Sequence, residues 1–270
     1  MPDNKNGECL RALILGDIVG KSGCRTLFLM LKTIIKKTKA DFVIVNGENA
    51  DSGSGMTPEI VKDFFNSGVD IITSGNHIWH KKEIYPLLES ENHLLRPANY
   101  PKGVPGHGDC TFNIKGHKVS VLNLQGNVNN FIRLYCPFIM GKKIARRLKK
   151  ESNIIIVDFH AELPQEKEAL AIYLDGEVSA VFGTHTHVQT ADEKILPGGT
   201  GYITDIGMTG PDESVIGLLP EIAIKRVYTQ MSLKMEIAEN PAIIMGIILD
   251  LDVNSGKTLS IKRITERSKL

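Results

Sequence analysis

The sequence has no cysteine pair of the C-x-x-C type. Its four cysteines, Cys9, Cys24, Cys110 and Cys136, stand at least fifteen positions apart. That spacing provides neither a zinc knuckle nor a dithiol redox motif, and free thiols fit a reducing compartment. Long apolar runs are also missing. The most apolar stretch, residues 242–251, falls well short of the roughly 20 residues a spanning helix needs, so no membrane partner is expected. The opening MPDNKNGECL lacks the apolar core of a secretory signal. A cytoplasmic location, with a flexible segment over residues 1–9, is the expectation. Charge of one sign is not in excess: 32 Lys and Arg against 31 Asp and Glu leave +1. This balance excludes an overall field that would gather nucleic acid or membrane. No linker, low-complexity tract or repeat interrupts the 270 residues, and 42% hydrophobic content suffices for a large core without disulfides. One domain over 1–270 is expected.

What is present is a set of short β-rich runs: 11–16 (RALILG), 41–45 (DFVIV), 69–73 (VDIIT), 119–124 (VSVLNL), 153–157 (NIIIV) and 178–182 (VSAVF). Near-continuous Val, Ile and Leu suit strands buried on both faces. Between the first three lie helical patterns. Leu27, Met30, Leu31, Ile34 and Ile35 draw one apolar stripe over 25–38. Thr57 followed by Pro58 reads as an N-cap with proline at the first helical position. Strand–helix–strand–helix–strand is an α/β signature. The last third is strand-rich, with 242–253 and 258–265 flanking a hairpin-like turn at 254–256.

Asp, Glu, Asn and His collect just after these runs. Asp17 follows the first, Glu48 and Asn49 the second, Asn76 and His77 the third, His160 the fifth, and His185 and His187 the sixth. Singly, each reads as a turn former, a cap or a structural histidine. Repeated five times, the pattern delivers remote side chains to one rim, where open α/β sheets bind ligands. The H-x-H pair on an extended backbone is expected to point both rings the same way. Imidazole with carboxylate and amide oxygen, and no thiolate, suits iron or manganese better than a structural zinc site, and magnesium alone would prefer fewer histidines. Asp17, Glu48, Asn49, Asn76, His160, His185 and His187 are too many ligands for one ion and about right for two sharing Glu48.

The blocks GDIVGKSG, NGENA, SGNHIW, DFHAE and GTHTHVQTADEKILPGGTGYITDIGMTGP, spanning Gly16 to Pro211, make the chain resemble the YmdB-like branch of the calcineurin-type metallophosphoesterases. The resemblance implies a four-layer αββα fold: a β-sandwich flanked by helices, with a dinuclear metal site at strand C-terminal ends. It implies one ion on Asp17, Glu48, Asn49 and His187, and a second on Glu48, Asn76, His160 and His185. His77 would be the proton donor. The implied activity is hydrolysis of 2',3'- or 3',5'-cyclic nucleotides, or of an RNA end, by hydroxide activated between two cations, with iron or manganese first and magnesium or zinc compatible. A homo-oligomer is also compatible. The sequence departs from the branch at 126–138 (GNVNNFIRLYCPF), after HAE at 163–165, and around 228–235; such loops could line the pocket or a subunit contact.

Two rival readings follow from the same letters. Residues 16–22 (GDIVGKS) nearly match a phosphate-binding P-loop, with Asp158 as the magnesium residue, but one residue is missing between the glycines and Asp17 repels phosphate. Lys142, Lys143, Arg146, Arg147, Lys149 and Lys150 could instead mark an RNA- or nucleotide-binding regulator in which hydrolysis is secondary. A solvated helix face with weak, salt-sensitive affinity is the favoured explanation of that run.

Overall fold

A computed structural model describes residues 8–128, 132–239 and 241–268. The first half contains β1 (Cys9–Leu15), β2 (Asp17–Ile18), α1 (Gly20–Thr38), β3 (Phe42–Asn46), α2 (Pro58–Ser67), β4 (Ile71–Thr73), α3 (Tyr85–Ser90), β5 (Asp109–Ile114) and β6 (His117–Gln125). After these come α4 (Pro137–Leu148), β7 (Ile154–His160), α5 (Pro164–Tyr173), β8 (Ala180–Thr184), β9 (Lys194–Ile195) and β10 (Gly201–Ile203). The remainder is β11 (Met208–Pro211), α6 (Pro220–Thr229), β12 (Ala242–Asp252) and β13 (Thr258–Arg267).

The strands form two sheets. One runs β2-β11-β12-β1-β3-β4 with β13 added to β12; the other runs β5-β6-β7-β8-β10-β9. Strands β1, β3 and β4 are parallel, as the strand–helix alternation requires, and so are β6, β7 and β8. The C-terminal hairpin forms as expected, with β12 and β13 antiparallel, and β12 also pairs with β1. The turn between them is built on Asp252, whose Oδ1 accepts from the N–H groups of Asn254 and Ser255.

Period-two burial sets the layers. On β7, Ile154 and Ile156 point into the core shared with Ala12, Ile14, Phe42, Ile44 and Ile71 of the other sheet. Ile155, Val157 and Phe159 point the opposite way, onto Ala145 and Leu148 of α4 and Leu170 of α5. The other sheet turns Leu13, Leu15, Val43 and Val45 toward Leu27 and Leu31 of α1 and Phe64 of α2. The order helix, sheet, sheet, helix is the expected mixed α/β arrangement.

Three details differ from the sequence reading. Helix α1 begins at Gly20 rather than near residue 25, because Gly20 and Gly23 carry no side chain and are silent in the apolar period. A Cβ on Gly23 would lie 2.3 Å from the Thr209 carbonyl oxygen, so the helix start presses on β11 through glycine. The rim of strand ends is shared by two sheets instead of belonging to one. Of the segment 1–9, residues 1–7 lie outside the described residues, while Cys9 already pairs with Asp252 in β1.

Ile14 is fully buried between the sheets. Ile14→Ala should cost about 2–5 kcal/mol, read as a lower urea midpoint at unchanged slope. A loss below about 1 kcal/mol would mean that the inter-sheet core is not close-packed there.

Candidate active site

The inner faces of β3, β4, β7 and β8 are apolar until their C-terminal ends, where they turn polar. Phe42 and Ile44 lead to Asn46, Ile71 to Thr73, Ile154 and Ile156 to Asp158 and His160, and Ala180 and Phe182 to Thr184. These polar side chains bond to one another. Asp158 accepts from Asn46 Nδ2 at 3.0 Å, from Thr73 Oγ1, and from Thr184 Oγ1 at 2.8 Å. Burial pushes the Asp158 carboxyl up to about 6, against the opposing pull of His160, Thr73, Thr184 and Asn46.

Above this floor the expected site residues converge. Asp17 and Glu48 are completely buried. His160 Nε2 lies 3.1 Å from Glu48 Oε1, and His185 Nδ1 lies 3.0 Å from His160 Nε2. His187 Nε2 is 3.0 Å from Asn49 Nδ2, which also reaches Glu48 Oε1 at 3.4 Å. His77 is tied by its Nδ1 to Asn49 Oδ1 at 2.7 Å and by its N–H to Glu48 Oε2. Asn76 borders a cleft of about 290 Å³ together with His80, Gln125, His160, Glu162 and His185. All eight residues named from sequence therefore face one another or this cleft.

The histidine pair is not held as expected. His185 (φ 98°) and His187 (φ 65°) are in left-handed conformations in a bend after β8, not on an extended strand. Thr186 explains the bend: its N–H and hydroxyl both donate to Asp205 Oδ2, which the buried Lys167 ammonium also contacts at 2.8 Å. The same bend lets the His185 N–H donate to Asp17 Oδ2 at 3.1 Å.

Each imidazole is fixed from behind. His160 donates through Nδ1 to Thr184 Oγ1 (2.9 Å), whose own proton goes to Asp158. His185 donates through Nε2 to Glu162 (2.9 Å), and His187 donates through Nδ1 to the Ile216 carbonyl (2.8 Å). His160 Nε2, His185 Nδ1 and His187 Nε2 are left facing inward. Glu48, His160 and His185 bring ligand atoms within 4.8 Å of one another, a grouping able to hold a metal ion. Gly75 is required beside it, since a Cβ there would lie 2.2 Å from Glu48 Oε2 and 2.3 Å from His160 Nε2.

The electrostatics fit this arrangement. Burial opposes the Glu48 charge, but the facing His160 holds its carboxyl well below the ordinary range. Burial likewise opposes charge on His160, yet Glu48, Asp17 and Asp158 lift its imidazole to about 9. Burial and the charged His160 push His185 down to about 4. Burial raises Asp17, with His187 and His160 opposing, and lowers His77, with Glu48 opposing.

Sequence reasoning missed Asn46, Thr73, Thr184, Glu162 and the Lys167–Asp205 pair. For the first three a signal existed: each is the polar end of a period-two apolar face. Lys167 sits mid-helix and gives no such sign. The variant segment 126–138 does border the cleft, through Gly126, Val128 and Ile132; residues 129–131 lie outside the described residues. The P-loop reading is corrected. Lys21 lies on a different concavity with Arg25 and Leu29, while Asp158 is sealed in the floor network. The basic run lies on and just after α4 and borders a separate concavity with Tyr173; Arg146 pairs with Glu177 and Arg147 with Asp109.

A family model described as "YmdB-like protein" matches residues 13–264. The chain is 43% identical over 256 residues to the 2',3'-cyclic-nucleotide 2'-phosphodiesterase of Bacillus subtilis (strain 168), covering 94% of this chain and 96% of that protein. A crystal structure of a novel phosphatase from Mycoplasma pneumoniae superposes with a TM-score of 0.91 at 34% identity, covering 97% and 95% of the two chains. Haemophilus influenzae NAD nucleotidase superposes at 0.64 and 14% identity, covering 97% of this chain and 56% of its own, a likeness of fold alone.

Because the folded-state value of His160 is raised to about 9 from 6.5, its charged ring stabilises the chelator-treated chain fully below pH 6.5, and that contribution is lost as pH rises to about 9. Urea midpoints should fall across this window in the wild-type chain and fall less in His160→Gln. Equal slopes would contradict the charged His160–Glu48 pair.

Proposed function

The chain belongs to the YmdB-like family, and on that premise we propose that it is a metal-dependent phosphodiesterase hydrolysing cyclic nucleotides, 2',3'-cyclic ones first and 3',5'-cyclic ones besides. One observation carries the reading. Three imidazoles are each anchored through the outer nitrogen, and of the inner nitrogens His160 Nε2 faces the buried Glu48, His185 Nδ1 lies beside it, and His187 Nε2 faces Asn49. Metal-ligating histidines are held in this way, with the second nitrogen donating to a carboxylate, hydroxyl or carbonyl.

The residues present fit a pair of cations. Asp17 Oδ1 is buried with no hydrogen-bond partner, which is costly for a carboxylate oxygen unless a cation meets it. On this reading Asp17, Glu48, Asn49 and His187 would hold one ion, and Glu48, Asn76, His160 and His185 would hold the other. Carboxylate, amide oxygen and imidazole together favour iron or manganese. Two cations bound there supply Lewis acidity toward the phosphoryl oxygens and acidify water near neutral pH.

The chain's own groups do the rest. Asn49 Oδ1 accepts from His77 Nδ1–H, which turns Nε2 toward the departing ribose oxygen, and the ring gives that oxygen a proton from Nε2 when it is in its charged form. Glu162, Thr184 and the Ile216 carbonyl keep three rings from turning. The cleft beside His80, Gln125 and Val128 receives the nucleoside. For a 2',3'-cyclic substrate, a water oxygen bonds to phosphorus and the bond from phosphorus to the 2'-oxygen breaks. The proton from His77 ends on the 2'-oxygen, a proton of the attacking water leaves to solvent, and the product is a 3'-monoester, which is the bond choice that the name of the Bacillus subtilis relative states.

Anaerobically purified protein loaded with manganese or iron should hydrolyse 2',3'-cyclic nucleotides in a panel that also includes 3',5'-cyclic forms. His77→Ala should keep its metal by elemental analysis and lose about 10²–10⁴ in kcat. Metal-loaded wild-type protein that turns over no cyclic nucleotide would sink the proposal. Metal loss in His77→Ala would make that residue a ligand instead of the donor.

A further inference from the structure

Sequence alone favours a solvated face for the basic run of α4, because no aromatic residue lies within it. The fold brings one to it. Tyr173, the last residue of α5, borders a concavity of about 450 Å³ together with Lys142, Lys143, Arg146, Arg147 and Lys150. Its ring packs edge-on against Phe138, centroids 5.7 Å apart, and the Lys142 ammonium lies 4.5 Å from the ring centre. Lys142, Lys143, Arg146 and Lys150 stand at spacings of one, three and four, so they line one stripe of the helix. Cations beside an exposed ring are what single-stranded nucleic acid binds: phosphates meet the charge and a base stacks on the ring.

Half of this charge is uncommitted. Arg146 pairs with Glu177, Arg147 pairs with Asp109, and Lys149 Nζ donates to the Gly176 carbonyl. Lys142, Lys143 and Lys150 enter no ion pair among the described residues. Glu151 is the one acid in the segment 137–151. On α5, Glu166 is turned to the Asn127 N–H and Glu168 to Lys194.

The stripe also leads to the cleft. Helix α4 starts at the rim: the Tyr135 N–H donates to the Asn99 carbonyl, and Asn99 Nδ2 donates to the carbonyl of Gln125, which borders the cleft. The helix ends about 18 Å away, where Ser152 Oγ donates to the Lys118 carbonyl at the start of β6. Between Ile132 in the cleft wall and the first turn of α4, Arg133 and Tyr135 stand exposed. Cations and rings therefore follow one another from the cleft down the helix.

We propose that this stripe binds single-stranded RNA whose 3'-terminal 2',3'-cyclic phosphate lies in the cleft. The preceding nucleotides run down α4, with a base on Tyr173 and phosphates on Lys142, Lys143 and Lys150. At the cleft a water oxygen bonds to phosphorus, the bond to the 2'-oxygen breaks, and the RNA is left with a 3'-phosphate and a 2'-hydroxyl. The choice of RNA end rests on the phosphodiesterase reading; binding of a strand to the stripe does not.

Two substrates with the same end test it on manganese-loaded protein: an RNA octamer ending in a 2',3'-cyclic phosphate, and the 2',3'-cyclic mononucleotide. At about 50 mM salt, kcat/KM for the octamer should exceed that for the mononucleotide about 10-fold. That advantage should fall with salt at a logarithmic slope of about −2, since each of three lysine–phosphate contacts on a single strand contributes about −0.7. Lys142→Ala/Lys143→Ala/Lys150→Ala should abolish the advantage and flatten the slope. Tyr173→Leu should reduce the advantage several-fold at unchanged slope, and neither variant should alter turnover of the mononucleotide. Without added metal, fluorescence anisotropy should show a labelled octamer ending in a 3'-phosphate bound by the wild-type chain and about 10-fold more weakly by the triple variant. Equal kcat/KM for the two substrates, or equal octamer affinity in wild type and triple variant, overturns the proposal. So does inorganic polyphosphate or a phosphatidylserine vesicle that binds the stripe while the octamer does not. Turnover of neither substrate by protein that still binds the octamer through the three lysines overturns the phosphodiesterase reading and leaves the RNA stripe standing.

Discussion

Two carboxylates sealed against water at the end of an apolar sandwich impose a condition on everything around them. Asp17 and Glu48 have no solvent exposure, and a buried charge is tolerable only when another charge or several donors meet it. The chain answers partly with protons: His160 takes one and faces Glu48, and the His185 N–H points at Asp17. One oxygen of Asp17 has no hydrogen-bond partner, and the His160 ring nitrogen nearest it is 3.9 Å away. A protonated histidine is the weaker answer, because it stands within hydrogen-bond reach of Glu48 but 3.9 Å from Asp17, whereas a divalent ion can satisfy several donors at once. Glu48, His160 and His185 form a grouping able to hold a metal ion, and on the proposed reading a cation would take the position that the proton on His160 occupies.

The same condition reaches down into the fold. His160 keeps its inner nitrogen toward Glu48 only because Thr184 holds the other, and Thr184 is set by Asp158, which is itself anchored by Thr73 and Asn46. Four strand ends from both sheets meet in that network, so side chains distant in sequence keep a common geometry. On the opposite flank, Lys167 and Asp205 form a second buried pair beneath the bend that carries His185 and His187. Removing one partner of such a pair leaves an uncompensated charge, which is why these supports are costly to alter.

Much of this was legible in the letters. Strands β1, β3, β6, β7 and β8 announced themselves as Val/Ile/Leu runs, and the residues directly after them were read as one constellation. The proline at the start of α2 and the turn after β12 were equally plain, since proline and the Asn-Ser-Gly sequence constrain the backbone locally. Other features were silent for physical reasons. The start of α1 is glycine, which carries no periodic signal. The left-handed bend at His185 and His187 depends on Asp205, eighteen residues beyond the last of the two, and no local pattern encodes that reach. Asn46 and Thr73 do end period-two apolar faces, but that they bond to Asp158 shows only once the two sheets are placed face to face.

The most direct test is anomalous diffraction from crystals grown anaerobically with manganese. The account predicts two peaks about 3.5–4 Å apart, bridged by Glu48, with His185 Nδ1 and His187 Nε2 each within a coordination bond of one ion. A peak count of zero, or ions placed away from Glu48 with both histidines still bonded only to protein, would contradict it.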